Sequence, residues 1–304
     1  MNFVDILHSD RYTYMIFTVD FFLVVLMLSI VGRITGIVAS VNSVKELSHR
    51  DNHAFGISYA GAILALGIMM TGVLSGDETI TLQYEASIVI AYGFMGIFLM
   101  ALSRYFFDKI SLPLIDIHKE IINGNKCAAI IDAANVIATA LIVRAVMIWV
   151  DTEAFSGLIV VVAGFVLSQL IMISVTRYRL FVYARRHNGK NLQKAFEAGN
   201  FAIALRYFGH KIGVALAVTA ASGMVYYVEG DEFKSVLVWA VVSFILTGVL
   251  SALSIAARHV ILYGINVVEE VDIQSNTGIG LIEATIFIVN GVILITLLGL
   301  PANL

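Results

Sequence analysis

Long apolar runs alternate with short polar stretches along the whole chain. A membrane-spanning helix needs about 20 mostly apolar residues, because in hydrocarbon the backbone must satisfy its own hydrogen bonds. Eight runs are long enough: 12–34, 53–74, 84–107, 126–150, 157–182, 201–228, 235–262 and 277–298. The pattern predicts an all-α integral membrane protein.

The runs come in pairs. Each odd-numbered run ends on an arginine: Arg33, Arg104, Arg177 or Arg258. A loop follows, and each even-numbered run opens at an asparagine: Asn52, Asn125, Asn200 or Asn276. The second position after the asparagine is small (Ala54, Cys127, Ala202, Gly278), and so is the fourth (Gly56, Ala129, Ala204, Gly280). The seventh is Tyr59, Asp132, Tyr207 and Glu283 in turn. A two-span unit is therefore repeated four times. The alternation of tyrosine and acid groups the units into two four-helix membrane halves, 1–150 and 151–304. With two spans per unit, every unit enters the membrane in the same direction. The repeats are parallel, with a pseudo-symmetry axis along the membrane normal.

Composition agrees. The chain is 59% hydrophobic and 13% charged, with a mean hydropathy of +0.90; soluble domains carry roughly 25% charged residues. The net charge of -3 is scattered through short loops and points to no nucleic-acid partner. The single Cys127 excludes a disulfide within the chain and reads as a small packing residue. The start of the chain, with Asp5 and Asp10, lacks the basic stretch of a cleavable signal, so the first run is read as a span.

Lysine and arginine set the expected orientation. The longer loops hold Lys45, Arg50, Lys109, Lys119, Arg185, Arg186, Lys190 and Lys194, whereas the short connections hold Asp77, Glu78, Asp151, Glu153, Glu229, Asp231 and Glu232, opposed by Lys234. The positive-inside rule places the longer loops in the cytoplasm and both termini outside it. The last long loop, with Glu269, Glu270 and Asp272, departs from the trend. Residues 114–122 and 183–198 read as interfacial amphipathic segments, whose basic residues suit anionic headgroups. Ordinary positive-inside bias accounts for the same charges.

Asparagine at a helix start is a good cap, since its side chain satisfies a free N–H of the first turn. The seventh position returns to within about 20° of the asparagine, about 10 Å deeper along the helix. Asp132 and Glu283 are thus intramembrane carboxylates, which are costly and call for partners. Candidate partners are Lys211, on the same stripe one turn beyond Tyr207, Arg206 at similar depth, and Arg144 deeper in its span. The arginines that end the odd spans are read as snorkelling to the interface. Asp132, Glu283, Tyr59, Tyr207 and Lys211 are expected to share one depth band and one inward face. A structural ion-pair network and a cation or proton pathway both fit such a band. Asp20 is either a further buried acid or a residue near the outer surface. Gly209 and Gly213 have the spacing of close helix packing.

No phosphate loop, HExxH or CxxC occurs, nor any nucleophile constellation, so an enzyme is not expected. His53, His210 and His259 fall at unmatched repeat positions, against a bis-histidine haem. No cofactor or metal centre is expected.

Three stretches carry a family resemblance: Ile57-Ser58-Tyr59-Ala60-Gly61, Arg104-Tyr105-Phe106-Phe107-Asp108-Lys109 and Glu120-Ile121-Ile122-Asn123-Gly124-Asn125 with its small-residue run to Asp132-Ala133-Ala134. Residues 53–150 resemble the YjfL-like bacterial inner-membrane proteins, the domain of unknown function 350. The second half, clearest from Ala198-Gly199-Asn200, resembles a diverged copy, so the chain resembles a tandem duplicate. The resemblance implies a multi-pass inner-membrane protein without an assigned activity, from a family found beside phage-shock membrane-stress genes and polyamine or ATP-grasp peptide-ligase genes. It supplies no site residues.

The leading expectation is passage or exchange of a small cation (proton, metal ion or polyamine) through a site built from Asp132 and Glu283. Arg206 and Lys211 lack counterparts in the other units, which weighs against a full pore. The alternative is a structural or scaffolding protein of an envelope-stress system, recruiting anionic lipid or a cytoplasmic stress protein through its basic loops. The sequence is compatible with a chain that closes its own bundle in the lipid bilayer and with a homodimer.

Overall fold

The computed structural model describes residues 11–38, 41–75, 81–150, 157–228 and 230–298. Asp5, Asp10, Asp77, Glu78, Asp151, Glu153 and Glu229, used above for the signal and orientation readings, lie outside the described residues. The first unit comprises α1 (Arg11–Val38), the short α2 (Ser43–Ser48) and α3 (His53–Val73). The second comprises α4 (Leu82–Phe106), which runs on into a π-helical turn (Phe107–Ser111), then α5 (Ile117–Ile122) and α6 (Lys126–Val150). The third holds α7 (Gly157–Arg186), α8 (Leu192–Glu197) and α9 (Phe201–Met224). The fourth holds α10 (Glu232–Ile261), a π-helical turn (Glu269–Ile273) and α11 (Thr277–Leu298). Eight of these helices are long and apolar enough to cross a membrane. The fold is all-α, and no strand occurs among the described residues.

The even spans α3, α6, α9 and α11 pack side by side in that order. Each of α4, α7 and α10 lies against the even span of its own unit and that of the preceding one. Among the described residues no unit precedes α1, which lies against α3 and α4. The centre of the row is therefore the most enclosed: 78% of the apolar window is buried in both α6 and α9, against 28% in α1 and 39% in α11.

Small residues make the row possible. A Cβ on Gly61 would lie 2.7 Å from the Ala133 Cβ, and one on Gly280 would lie 2.5 Å from the Ala202 carbonyl oxygen. A Cβ on Gly209 would run into the Ala284 backbone. Lipid tails are as apolar as leucine, so helices associate in a membrane through such close van der Waals contact rather than through a hydrophobic drive.

The loops repeat as faithfully as the spans. Asn42, Asp116, Asn191 and Asn266 each accept a backbone N–H from the start of the short helix or π-helical turn that follows. After each short element one residue has positive φ: Asp51 (47°), Gly124 (89°), Gly199 (80°) and Ser275 (57°). The cap asparagine comes next. Glycine enters that backbone region without steric cost, and the inner two units use it. All four short elements lie at one end of the bundle, called here the cap end.

At the cap end, Phe55, Phe107, Ile121, Phe196, Tyr207 and Val271 form a core of their own. This corrects the reading of 114–122 and 183–198 as interfacial segments. Residues up to Arg186 extend α7, and Leu192–Glu197 forms a separate helix. Ile117, Ile121, Leu192 and Phe196 are buried inside the protein rather than turned to lipid. Of the predicted segments, Leu114 keeps an exposed apolar side chain.

Candidate functional site

The cap asparagines do two jobs. Each Oδ1 accepts from the first turn of its span: Asn52 from Phe55 N at 3.1 Å, Asn125 from Cys127 N at 2.9 Å, Asn200 from Ile203 N at 3.0 Å and Asn276 from Ile279 N at 3.3 Å. The side-chain amide then reaches across to the next unit. Asn52 donates to the Ile121 and Ile122 carbonyls, Asn125 to those of Phe196 and Glu197, and Asn200 to those of Val271 and Asp272. Glutamates on the short elements also accept from these amides: Glu46 from Asn52, Glu120 from Asn125 and Glu270 from Asn276. Two glutamates of that kind bear on earlier expectations. Glu46 is buried, and Glu270 accounts for part of the acidity of the last long loop.

The two deep acids are paired, but not with the lysine proposed from the sequence. Asp132 receives Arg104 Nε on Oδ1 at 3.0 Å and Nη2 on Oδ2 at 2.9 Å, a bidentate grip. The Ser58 hydroxyl donates to its Oδ2 at 2.5 Å. Glu283 receives Arg258 Nη1 at 3.2 Å, with Arg206 Nη1 3.5 Å from its other oxygen. Arg206 is also bonded to Asp272, which receives His187 Nε2 at 2.8 Å. Asp272 thus explains another acid of the atypical loop: it is a buried ion-pair partner. Arg33 and Arg177 are exposed, an arrangement compatible with the expected snorkelling. For Arg104 and Arg258 it is replaced by pairing, because the even span of their own unit carries an acid, Asp132 or Glu283, where those of Arg33 and Arg177 carry Tyr59 and Tyr207.

Lys211 is buried away from both acids. Its Nζ lies 5.3 Å from the Phe107 ring centroid and 5.9 Å from that of Tyr207, and donates to the Met172 carbonyl at 3.5 Å. Cation–π attraction is the main compensation for burying this charge. Tyr207 shares a hydrogen bond with Thr176 at 3.1 Å. Tyr59 is half-buried, stacked near Phe55 and close against Gly32. Arg144 donates to Thr71 at 2.8 Å and touches neither acid. The single shared band expected from the sequence is therefore divided, because Asp132 and Glu283 find their partners within their own halves.

Each acid lines its own cavity, and the two cavities share no lining residue. The first, about 230 Å³, is lined by Ser58, Arg104, Asp108, His118 and Asp132 among others. Arg104 is the one Lys or Arg in that lining, set against two carboxylates. Asp108 is half-buried and makes no hydrogen bond or ion pair among the described residues. The second cavity, about 150 Å³, carries the opposite balance: Arg179, Arg186, Arg206 and Arg258 face Asp272 and Glu283. Three atoms of its lining residues, Arg179 Nε, His210 Nδ1 and Glu283 Oε2, are buried without a hydrogen-bond partner. The sequence reading missed Asp108 and Arg179. The four-residue interval from Arg104 to Asp108 was the available signal, since it sets both on one helix face.

Two further polar clusters lie elsewhere. Ser103, Asn135, Thr139 and Gln169 form an uncharged network where α4 and α6 meet α7. Asp20 is buried in α1, within electrostatic reach of Glu85, and each has one oxygen without a hydrogen-bond partner.

A family model described as Domain of Unknown Function (DUF350) matches residues 11–147 and again residues 152–298. No curated protein and no solved structure matches the chain.

Proposed function

The chain belongs to the DUF350 family, in two tandem copies, and from that premise we propose that it passes or exchanges a small cation at the acid-lined cavity of its first half. One observation carries this reading. In that cavity's lining Asp108 and Asp132 are two carboxylates to one Lys or Arg, and Arg104 is committed to Asp132 by two hydrogen bonds, so Asp108 is left for a cation from outside. The Asp20–Glu85 pair gives the same half a second acidic position, on the span segments away from the cap end. The second half does not support the same role for Glu283, since two arginines already hold it. The cation is a proton, a metal ion or a polyamine, and nothing in the reading requires an enzyme. In this reading the protein sits in a bacterial inner membrane, as the family resemblance implies, with the Lys- and Arg-bearing cap end toward the cytoplasm by the positive-inside rule.

The test is cation flux into liposomes carrying the purified protein. Asp108→Asn removes a charge that holds no partner, and Arg104→Gln with Asp132→Asn removes the pair without stranding a charge. Both are expected to lower flux, while Arg258→Gln with Glu283→Gln leaves it near the parent value. Unchanged flux in folded Asp108→Asn and in the Arg104→Gln, Asp132→Asn protein would overturn the proposal.

A second reading, scaffolding, draws on the exposed cations Arg185, Arg186, Lys190 and Lys194 at the cap end. They form a surface suited to anionic lipid or an acidic stress-response partner. Charge reversal at Arg185, Arg186 and Lys190 would abolish that recruitment and leave flux untouched.

A further inference from the structure

The row of even spans ends on two different edges, and the repeat indicates what each edge is built to meet. Where α9 meets α11, Ala202, Gly209, Gly213 and Leu216 receive Gly280, Ala284, Phe287 and Gly291. Counted from the cap asparagines, positions 2, 9, 13 and 16 of one unit face positions 4, 8, 11 and 15 of the next. The contact of α3 with α6 keeps the register: Gly61, at position 9, meets Ala133, at position 8.

At the free edge of α11 the forward positions are Gly278, Thr285, Val289 and Val292, and all four are exposed. At the free edge of α3 the backward positions are Gly56, Ala60, Ile63 and Gly67. Ala60 is exposed and the other three are half-buried, whereas their counterparts on α11 are all buried. A Cβ on Gly67 would meet nothing within 4 Å, and one on Gly56 only Leu47 at 3.6 Å; on the equivalent Gly291 it would lie 2.8 Å from Leu216. Among the described residues no neighbour therefore accounts for glycine at Gly56 and Gly67, where it weakens a helix relative to alanine.

The caps give an independent indication. Three asparagines each bond two carbonyls at the end of the following short element, but among the described residues no unit follows Asn276, and the bond its amide makes there is to Glu270. The matching carbonyls at the other edge belong to Leu47 and Ser48, and among the described residues no asparagine amide bonds them. Leu47 is 39% exposed, while its counterparts Ile121, Phe196 and Val271 are 4%, 0% and 0% exposed.

We infer that a second copy of this chain docks head to tail on the first. The edge formed by α11 and Asn276 of one copy sits against α3 and the end of α2 of the next. The contact continues an interface the chain already makes between its own units, and Gly56, Ala60 and Gly67 on the receiving edge, with Gly278 and Thr285 on the other, allow the close approach that membrane helices need. It is heterologous, so it closes into a ring where the rotation per copy permits. The helix α1 flanks the receiving edge, as α4, α7 and α10 flank the even span of the preceding unit. The inference stands apart from the nature of any ligand in the cavities.

The register places Thr285 of one copy opposite Ala60 of the next. Chains carrying Thr285→Cys and Ala60→Cys, with different tags, are co-expressed and oxidised in the membrane; the native Cys127 is buried and stays silent. Disulfide-linked dimers of unlike tag are expected. Thr285→Cys with Phe98→Cys, an exposed position on α4, serves as the collision control. Adding Gly67→Phe to the Ala60→Cys chain fills space that is open within one chain, so the protein still folds but the cross-link is lost. Cross-linking no higher than the control means that lipid covers both edges, and the inference fails. Cross-linking that survives Gly67→Phe also overturns it.

Discussion

Arg104 holds Asp132 by two parallel hydrogen bonds of 3.0 and 2.9 Å, while Arg258 reaches Glu283 by one of 3.2 Å. These pairs occupy equivalent places in the two halves, yet one is a closed fork and the other part of a chain through Arg206 to Asp272. Breaking a buried pair by removing one partner strands a charge and costs about 3–5 kcal/mol. Arg104→Gln is expected to destabilise by that order in detergent or bilayer unfolding. Arg258→Gln should cost less, because Arg206 remains beside Glu283. Arg104→Gln combined with Asp132→Asn should recover most of the loss; if the double variant unfolds as readily as the single, the pair is not the source of the stability.

The caps should differ by position. Asn276→Ala removes the first-turn bond and the bond to Glu270, at a cost of about 1 kcal/mol. Asn125→Ala also leaves the Phe196 and Glu197 carbonyls without their donor, so its cost should be roughly twice as large. Equal shifts in unfolding midpoint for the two variants would mean that the bridge between units adds nothing.

Two glycines make a matched test of packing. Gly209→Ala drives a methyl into the Ala284 backbone and is expected to destabilise by about 1–3 kcal/mol. Gly248→Ala, on an exposed face of α10 with nothing within 4 Å, should be neutral or stabilising by up to about 1 kcal/mol. Circular dichroism melts of the two proteins read the difference directly.

Lys211 offers a check on the division of the sites. Its ammonium sits between the Phe107 and Tyr207 rings and pairs with no carboxylate among the described residues. Replacing a buried charge by an apolar side chain of similar length is often neutral or stabilising. Lys211→Met is therefore expected to hold or raise the unfolding midpoint and to leave cation flux unchanged. A loss of flux comparable to that of Asp108→Asn would place Lys211 in the transport site after all.

Much of this architecture was legible in the chain, and the particular misses are instructive. The interval from each span-ending arginine to the next asparagine marked every unit, and the structure places a capped short element in each interval. Leu192 and Phe196, four apart in a basic loop, gave a true amphipathic signal. Whether that apolar face meets lipid or protein is not encoded in its period, and here Tyr207 and its neighbours cover it. Asp272 looked like an exception to a charge rule. Its reason, Arg206 and His187, lies 66 and 85 residues away along the chain.

By itself the sequence determined the number of helices long and apolar enough to span, their pairing into units and the caps that start the even helices. Hydrocarbon imposes a minimum run length and internal backbone bonding, and a repeated unit keeps its register, so these properties are local. Only the tertiary structure decided which cation holds which acid, that the two acids line separate cavities, and which edges of the row are left open. An arginine at a span end has the same hydropathy whether it stays exposed, as Arg33 and Arg177 do, or pairs with an acid, as Arg104 and Arg258 do. The choice depends on which side chain packs beside it, and that is a property of the assembled row.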